Sequence, residues 1–102
     1  MTVVFPGNLG KPRPALVVQS DRTDIRTPTV TLLPFTGTLV DAPLFRVEVG
    51  PTIDNGLVKR CAAQLDKATT VPRDKVGGVI GRLDDVTMLT VNRALVVFLG
   101  LG

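Results

Sequence analysis

The chain has 102 residues, 44% apolar and 21% charged, with a formal net charge of +3 and an isoelectric point near 9.6. That length holds one domain, residues 1–102, and the composition is that of a folded chain with a core. There is no histidine, and Cys61 is the lone cysteine. An internal disulfide and a cysteine-based zinc site are therefore excluded, and so is histidine as metal ligand or general base. Catalysis is left to Asp, Arg, Lys, Thr or Ser, or to a metal held by carboxylates. Four phenylalanines are the only aromatic residues, which speaks against a stacking reader of single strands. No run approaches the ~20 apolar residues that span a bilayer, and no basic-then-apolar leader opens the chain. The expectation is a cytoplasmic protein without a membrane partner. Its basic balance suits an anionic partner without identifying one.

In chain order, Thr2 to Phe5 is a short β-prone run, followed by a loop from Pro6 to Pro12. Ala15-Leu16-Val17-Val18 is continuously apolar, as in a strand buried on both faces. Ser20 to Thr27 is polar and reads as an exposed loop. Thr29 to Phe35 is β-branched and apolar, hence a strand. Phe45 to Val49 alternates, which predicts Phe45, Val47 and Val49 toward the core with Arg46 and Glu48 outward. Asn55-Gly56 is a hairpin signal and predicts a tight turn between a strand ending near Ile53 and one running through Cys61, Gln64 and Asp66. Gly77 to Gly81 has the wrong spacing for a phosphate loop and reads as a bend. Asp84-Asp85 marks a helix start, Met88, Val91, Leu95 and Phe98 form one helical face, and Gly100 is placed to stop the helix. The sum is a mainly β chain with a C-terminal α-helix, its short strands forming a small barrel or strongly curved sheet.

Several short constellations could carry chemistry. Prolines stiffen the backbone on both sides of Arg13, whose planar guanidinium suits a phosphate. Phe35-Thr36-Gly37-Thr38 sets two hydroxyls at the end of an apolar strand, where they can position a substrate oxygen or cap a turn. Asp66-Lys67 offers a carboxylate and an ammonium for proton transfer, or a surface ion pair. Capping accounts for Asp84 and Asp85 without a metal, because adjacent side chains point apart. Cys61 reads as a small apolar strand residue, since no histidine exists to activate it.

It is the order of these segments that resembles a known family, the MazF/CcdB toxins. Gly10-Lys11-Pro12-Arg13-Pro14-Ala15-Leu16-Val17, continued to Asp21, is similar to the family's G-x-x-R-P-A-L-V-x-x-x-D signature. Val30 to Thr38 resembles its second signature, a hydrophobic strand ending in hydroxyl residues. Gly56 to Lys67, and then Thr70 to Lys75, resemble the strand and short helical link that follow. Ile80-Gly81-Arg82-Leu83 and the last helix resemble its closing segment. The resemblance implies a small SH3-like barrel, a curved antiparallel sheet with a terminal helix, that forms a homodimer and cuts single-stranded RNA without metal or other cofactor. It implies Arg13 and Thr36 acting together on the phosphate, Asp66 or Lys67 in proton transfer, and Lys11, Thr38 and Lys67 holding the RNA. It also implies a cognate antitoxin whose disordered acidic tail covers the same surface. One departure is Asp66-Lys67-Ala68-Thr69, where many members carry Glu-Gln-x-Arg. Two other readings share the fold. One is a CcdB-like gyrase poison, although the chain ends Phe98-Leu99-Gly100-Leu101-Gly102 without the tryptophan of that branch. The other is a catalytically inactive binding module.

Overall fold

The computed structural model describes residues 2–6, 12–18, 28–42 and 45–101. The polar segment expected as a loop, Ser20 to Thr27, lies outside the described residues, as do Lys11 and the end of the first family signature. Strands β1 (Thr2–Pro6), β2 (Pro12–Val17), β3 (Thr29–Thr36), β4 (Arg46–Val49), β5 (Cys61–Gln64), β6 (Thr69–Pro72) and β7 (Val79–Gly81) precede helix α1 (Asp85–Phe98). Turns of 3-10 helix occupy Leu65–Lys67 and Arg73–Lys75. Among the described residues no helix is long and apolar enough to cross a membrane.

The strands form an antiparallel sheet in the order β4-β5-β3-β2-β1-β7, with β6 also on β3. Strand β3 is central because it is long enough to be shared. Its Thr29–Leu32 half pairs with β6, while Phe35 and Thr36 at its far end pair with Ala63 and Ala62 of β5. Its other edge pairs with β2, Ala15 opposite Pro34 and Leu16 opposite Leu33. A single strand serving two neighbours along one edge forces the sheet to bend, which suits the expected curved β architecture.

Because side chains alternate across a strand, this register sorts the core onto two faces. Leu16, Leu33, Phe35, Ala63 and Leu65 lie on one face, with Val91 of α1 buried among them and Met88, Leu95 and Phe98 packed alongside. Ala15, Val17, Val30 and Leu32 lie on the other with Val3. Leu16, Leu33 and Leu65 are fully buried, and each such leucine contributes roughly 1.5–3 kcal/mol relative to an exposed one. The expected two-sided burial of the Ala15–Val17 run follows from this arrangement.

Helix α1 begins as expected. The Asp84 carboxylate accepts hydrogen bonds from the Thr87 hydroxyl at 2.5 Å and the Thr87 amide at 3.1 Å, and these hold its pKa below the usual aspartate value. The Met88–Phe98 stripe faces the sheet, and Gly100 closes the helix with φ +71°. Val86, Leu89, Val96 and Val97 remain exposed on the opposite side of the helix.

Five local expectations are corrected. Gly77–Gly81 is not merely a bend, since Val79–Gly81 is strand β7 paired with β1. Phe45 is 44% exposed and meets the edge of Phe98 with ring centroids 5.9 Å apart, rather than entering the core. Arg46 is drawn inward with its side chain only 17% exposed, because Asp66 binds it. Asp66 itself sits in a 3-10 turn beyond β5.

The fifth correction concerns Asn55-Gly56. β4 and β5 do pair, but β4 ends at Val49 and residues 50–60 connect them, so there is no two-residue hairpin. Positive φ occurs at Gly56 (+68°) and not at Asn55, so a primed turn does not form. Asn55 is instead buried, at 2% exposure. Its side-chain oxygen accepts from the amides of Thr52 (3.0 Å) and Leu57 (2.9 Å), and its amide nitrogen donates to the Gly50 carbonyl (2.9 Å). Its backbone carbonyl accepts from the Thr2 hydroxyl at 2.8 Å, and Arg82 N donates to the Asp54 carbonyl at 2.7 Å. The β4–β5 loop is thereby fastened to β1 and to the residue after β7. The approach is close enough that a Cβ on Gly81 would stand 2.3 Å from Asp54 O, and one on Gly56 would stand 2.0 Å from Ile80 O.

Asn55→Ala strips the partners from buried backbone groups, so unfolding free energy is expected to fall by about 2–4 kcal/mol. Urea denaturation followed by circular dichroism measures this, and a loss under about 0.5 kcal/mol would contradict the role given to Asn55.

Candidate functional site

Arg13 and Thr36 are distant in sequence, yet they stand at the same end of the paired strands β2 and β3. With Ala15 opposite Pro34 and Leu16 opposite Leu33, the same register carried two residues toward the start of β2 sets Arg13 level with Thr36. Arg13 shares the face of Ala15 and Val17, and Thr36 that of Leu32, so both belong to the side of the sheet away from α1. Arg13 is exposed and Thr36 half-buried. The Thr36 hydroxyl oxygen accepts from the Thr38 amide at 3.1 Å, forming a small turn in which the hydroxyl proton is left to donate elsewhere.

Crossing the sheet from Thr36, Ala62 of β5 comes next and then Glu48 of β4. The adjacent row carries Pro34, Gln64 and Arg46 in turn, with Gln64 fixed by donation to the Pro34 carbonyl at 3.3 Å. The charges on this side are largely paired. Arg60 Nε binds Glu48 at 3.1 Å, and Arg46 binds the Asp66 carboxylate. Arg46 Nε is buried without a hydrogen-bond partner among the described residues.

The predicted site residues therefore divide into groups. Arg13, Thr36 and Thr38 converge at one end of the β2–β3 pair. Asp66 reaches the same face through Arg46, whose strand pairs Arg46 with Gln64. Lys67 is exposed in the 3-10 turn after β5, and Lys11 lies outside the described residues. Sequence reasoning missed Arg46, since strand alternation alone assigns it to solvent. It also missed Lys59, whose tip rests against Gly37: a Cβ there would stand 2.8 Å from Lys59 Nζ. The sequence pattern held no signal for either residue. Among the described residues no three carboxylates or thiols gather as a metal cage.

This arrangement, a bent antiparallel sheet with a terminal helix on one face and an arginine–threonine pair on the other, belongs to a class of small toxins. The family of PemK-like, MazF-like toxins of type II toxin–antitoxin systems matches residues 3–99. The chain is 47% identical over 93 residues to a probable endoribonuclease MazF of Mycolicibacterium smegmatis, covering 91% of this chain and 84% of that protein. Among solved structures it is similar to the Mycobacterium tuberculosis toxin MazF-mt6, with a TM-score of 0.82, 24% identity and 98% coverage of both chains. It is likewise similar to an endoribonuclease in complex with its cognate antitoxin from mycobacterial species. That TM-score is 0.81 at 26% identity, covering 99% of this chain and 93% of the other. The chain belongs to the PemK-like, MazF-like family of type II toxins.

Cys61 stands apart from this site. It is 4% exposed within the core cluster beneath α1, and burial raises its thiol pKa despite the opposing charge of Lys59. A thiol reagent is therefore expected to modify native protein only as fast as the fold opens. Stoichiometric labelling within seconds at neutral pH would contradict that burial.

Proposed function

We propose that this toxin, an endoribonuclease of its family, cuts single-stranded RNA on the sheet face away from α1, with Arg13 and Thr36 at the scissile phosphate. The observation that supports the reading is the register of β2 on β3, Ala15 opposite Pro34, which carried two residues further sets the Arg13 and Thr36 positions level on one face. The nucleophile is the RNA's own 2′-hydroxyl. Its oxygen bonds to phosphorus as the bond to the 5′-oxygen breaks, leaving a 2′,3′-cyclic phosphate and a free 5′-hydroxyl. The proton lost from the 2′-oxygen goes to a base, and the departing 5′-oxygen takes one up. Such a step needs alignment, stabilisation of charge on the equatorial oxygens and proton transfer, not an enzyme nucleophile or a metal.

Arg13 offers a forked donor to those oxygens, and the Thr36 hydroxyl, its oxygen already engaged by the Thr38 amide, donates to one of them. Asp66 is the proton-transfer group in this reading, held by Arg46, and Lys67 beside it is the alternative. Lys11, Thr38 and Lys67 would hold the flanking strand. The protein works in the cytoplasm as a homodimer, its partner being an antitoxin whose acidic, disordered tail competes with RNA for this basic surface. The relative solved with its cognate antitoxin supports that partnership.

Arg13→Ala is expected to lower cleavage of a long single-stranded RNA in EDTA by about 100-fold to 1,000-fold. Mapped cuts that persist at the wild-type rate would remove Arg13 from the chemistry.

A further inference from the structure

The turn that follows Thr36 carries a second cation. A Cβ added at Gly37 would stand 2.8 Å from Lys59 Nζ and 2.9 Å from Lys59 Cε, so the lysine occupies the space that any larger residue at position 37 would fill. The ammonium thus lies against the backbone between Thr36 and Thr38, one residue beyond the hydroxyl that faces the scissile phosphate. It comes from the far end of the β4–β5 loop, whose conformation is fixed by Asn55 through Gly50, Thr52 and Leu57. The neighbouring basic side chains are neutralised, Arg60 by Glu48 and Arg46 by Asp66. No carboxylate among the described residues pairs with Lys59.

We propose that Lys59, seated over Gly37, contacts the RNA phosphate adjoining the one held by Arg13 and Thr36, and so sets the path of the strand through the site. The inference rests on the nuclease reading. A cation with three rotatable donors on a flexible stem suits a neighbouring phosphate, where charge matters more than fixed geometry. Its place at the strand end lets the RNA backbone pass from the Thr36 hydroxyl across the Gly37 turn to the ammonium. Gly37 then has a functional reason to lack a side chain: it leaves room for the lysine.

The test uses the full chain and two RNAs, a cleavable single strand and a fully 2′-O-methylated copy that cannot be cut. Lys59→Met keeps the stem and removes the charge. It is expected to weaken binding of the methylated strand roughly tenfold and to raise KM far more than it lowers kcat. The plot of log affinity against log salt should become shallower by about 0.7, the contribution of one phosphate contact on a single strand. Lys59→Arg should restore most of the slope. Gly37→Ala meets only the mobile end of a lysine, so it should fold, displace Lys59 and flatten the salt dependence. In the Lys59→Met background it should change that slope no further. An unchanged slope and KM in Lys59→Met, while the wild type still cuts, would overturn the inference and leave the nuclease reading standing. Equal slope changes from Gly37→Ala in both backgrounds would also overturn it. Wild-type protein that neither binds nor cuts RNA would overturn both together.

Discussion

The hydrogen-bonded knot at Asn55 is the constraint on which the rest of the molecule depends. One buried amide side chain satisfies two backbone donors and one carbonyl of the β4–β5 loop, and its own carbonyl receives the Thr2 hydroxyl. A loop of eleven residues, 50–60, would ordinarily be among the least ordered parts of so small a protein. Here it is tied to β1 and, through Asp54 and Arg82, to the residue after β7 at the far edge of the sheet. The same closure shapes both ends of the loop. Gly50 opens it beside β4, and Lys59 and Arg60 close it beside β5, so the knot bears on where these two cations stand.

A second consequence follows from the division of the sheet into two faces. Helix α1 covers one with Val91 and its neighbours, while the other holds the second buried cluster of Val3, Ala15, Val17, Val30 and Leu32, with the Arg13 and Thr36 positions at its end. On that second face the ion pairs carry little net stability where they are exposed, as at Arg60 and Glu48, since exposed pairs contribute about 0–1 kcal/mol. Their effect is to sort the cations. Arg46 and Arg60 are held by Asp66 and Glu48, while among the described residues no ion pair holds Arg13 or Lys59. The outer surface of α1 is different in kind, with Val86, Leu89, Val96 and Val97 exposed and Arg93 among them. That surface suits apolar contact and offers little to a polyanion.

Much of this was legible in the residues, for reasons that can be named. The apolar run at Ala15–Val17, the Asp84 cap and the Met88–Phe98 stripe are local patterns with local causes, and they appear where periodicity puts them. Arg13 and Thr36 were visible as a resemblance to the family, but their adjacency was not, because it depends on the register of two strands separated by residues 18–28. Asn55-Gly56 misled because an asparagine before a glycine has two uses. It can accept a left-handed backbone in a hairpin, or its side chain can bind nearby backbone groups as a turn of its own, and burial favoured the second. Arg46 misled because alternation tells which side a residue takes, not whether a carboxylate from the next turn will draw it in. Lys59 gave no signal at all. Its meaning comes from the missing side chain at Gly37, in the turn after β3, which is remote from it in sequence.

The face that RNA occupies is read most directly by an NMR titration of the protein with an uncleavable 2′-O-methylated single strand, followed at backbone amides. If RNA lies on the sheet face away from α1, the shifts concentrate at Arg13, Thr36, Gly37, Thr38 and Gln64, and the amides on the outer side of the helix stay still. Shifts confined to Leu89, Val96 and Val97, with the β2–β3 end unmoved, would contradict the account.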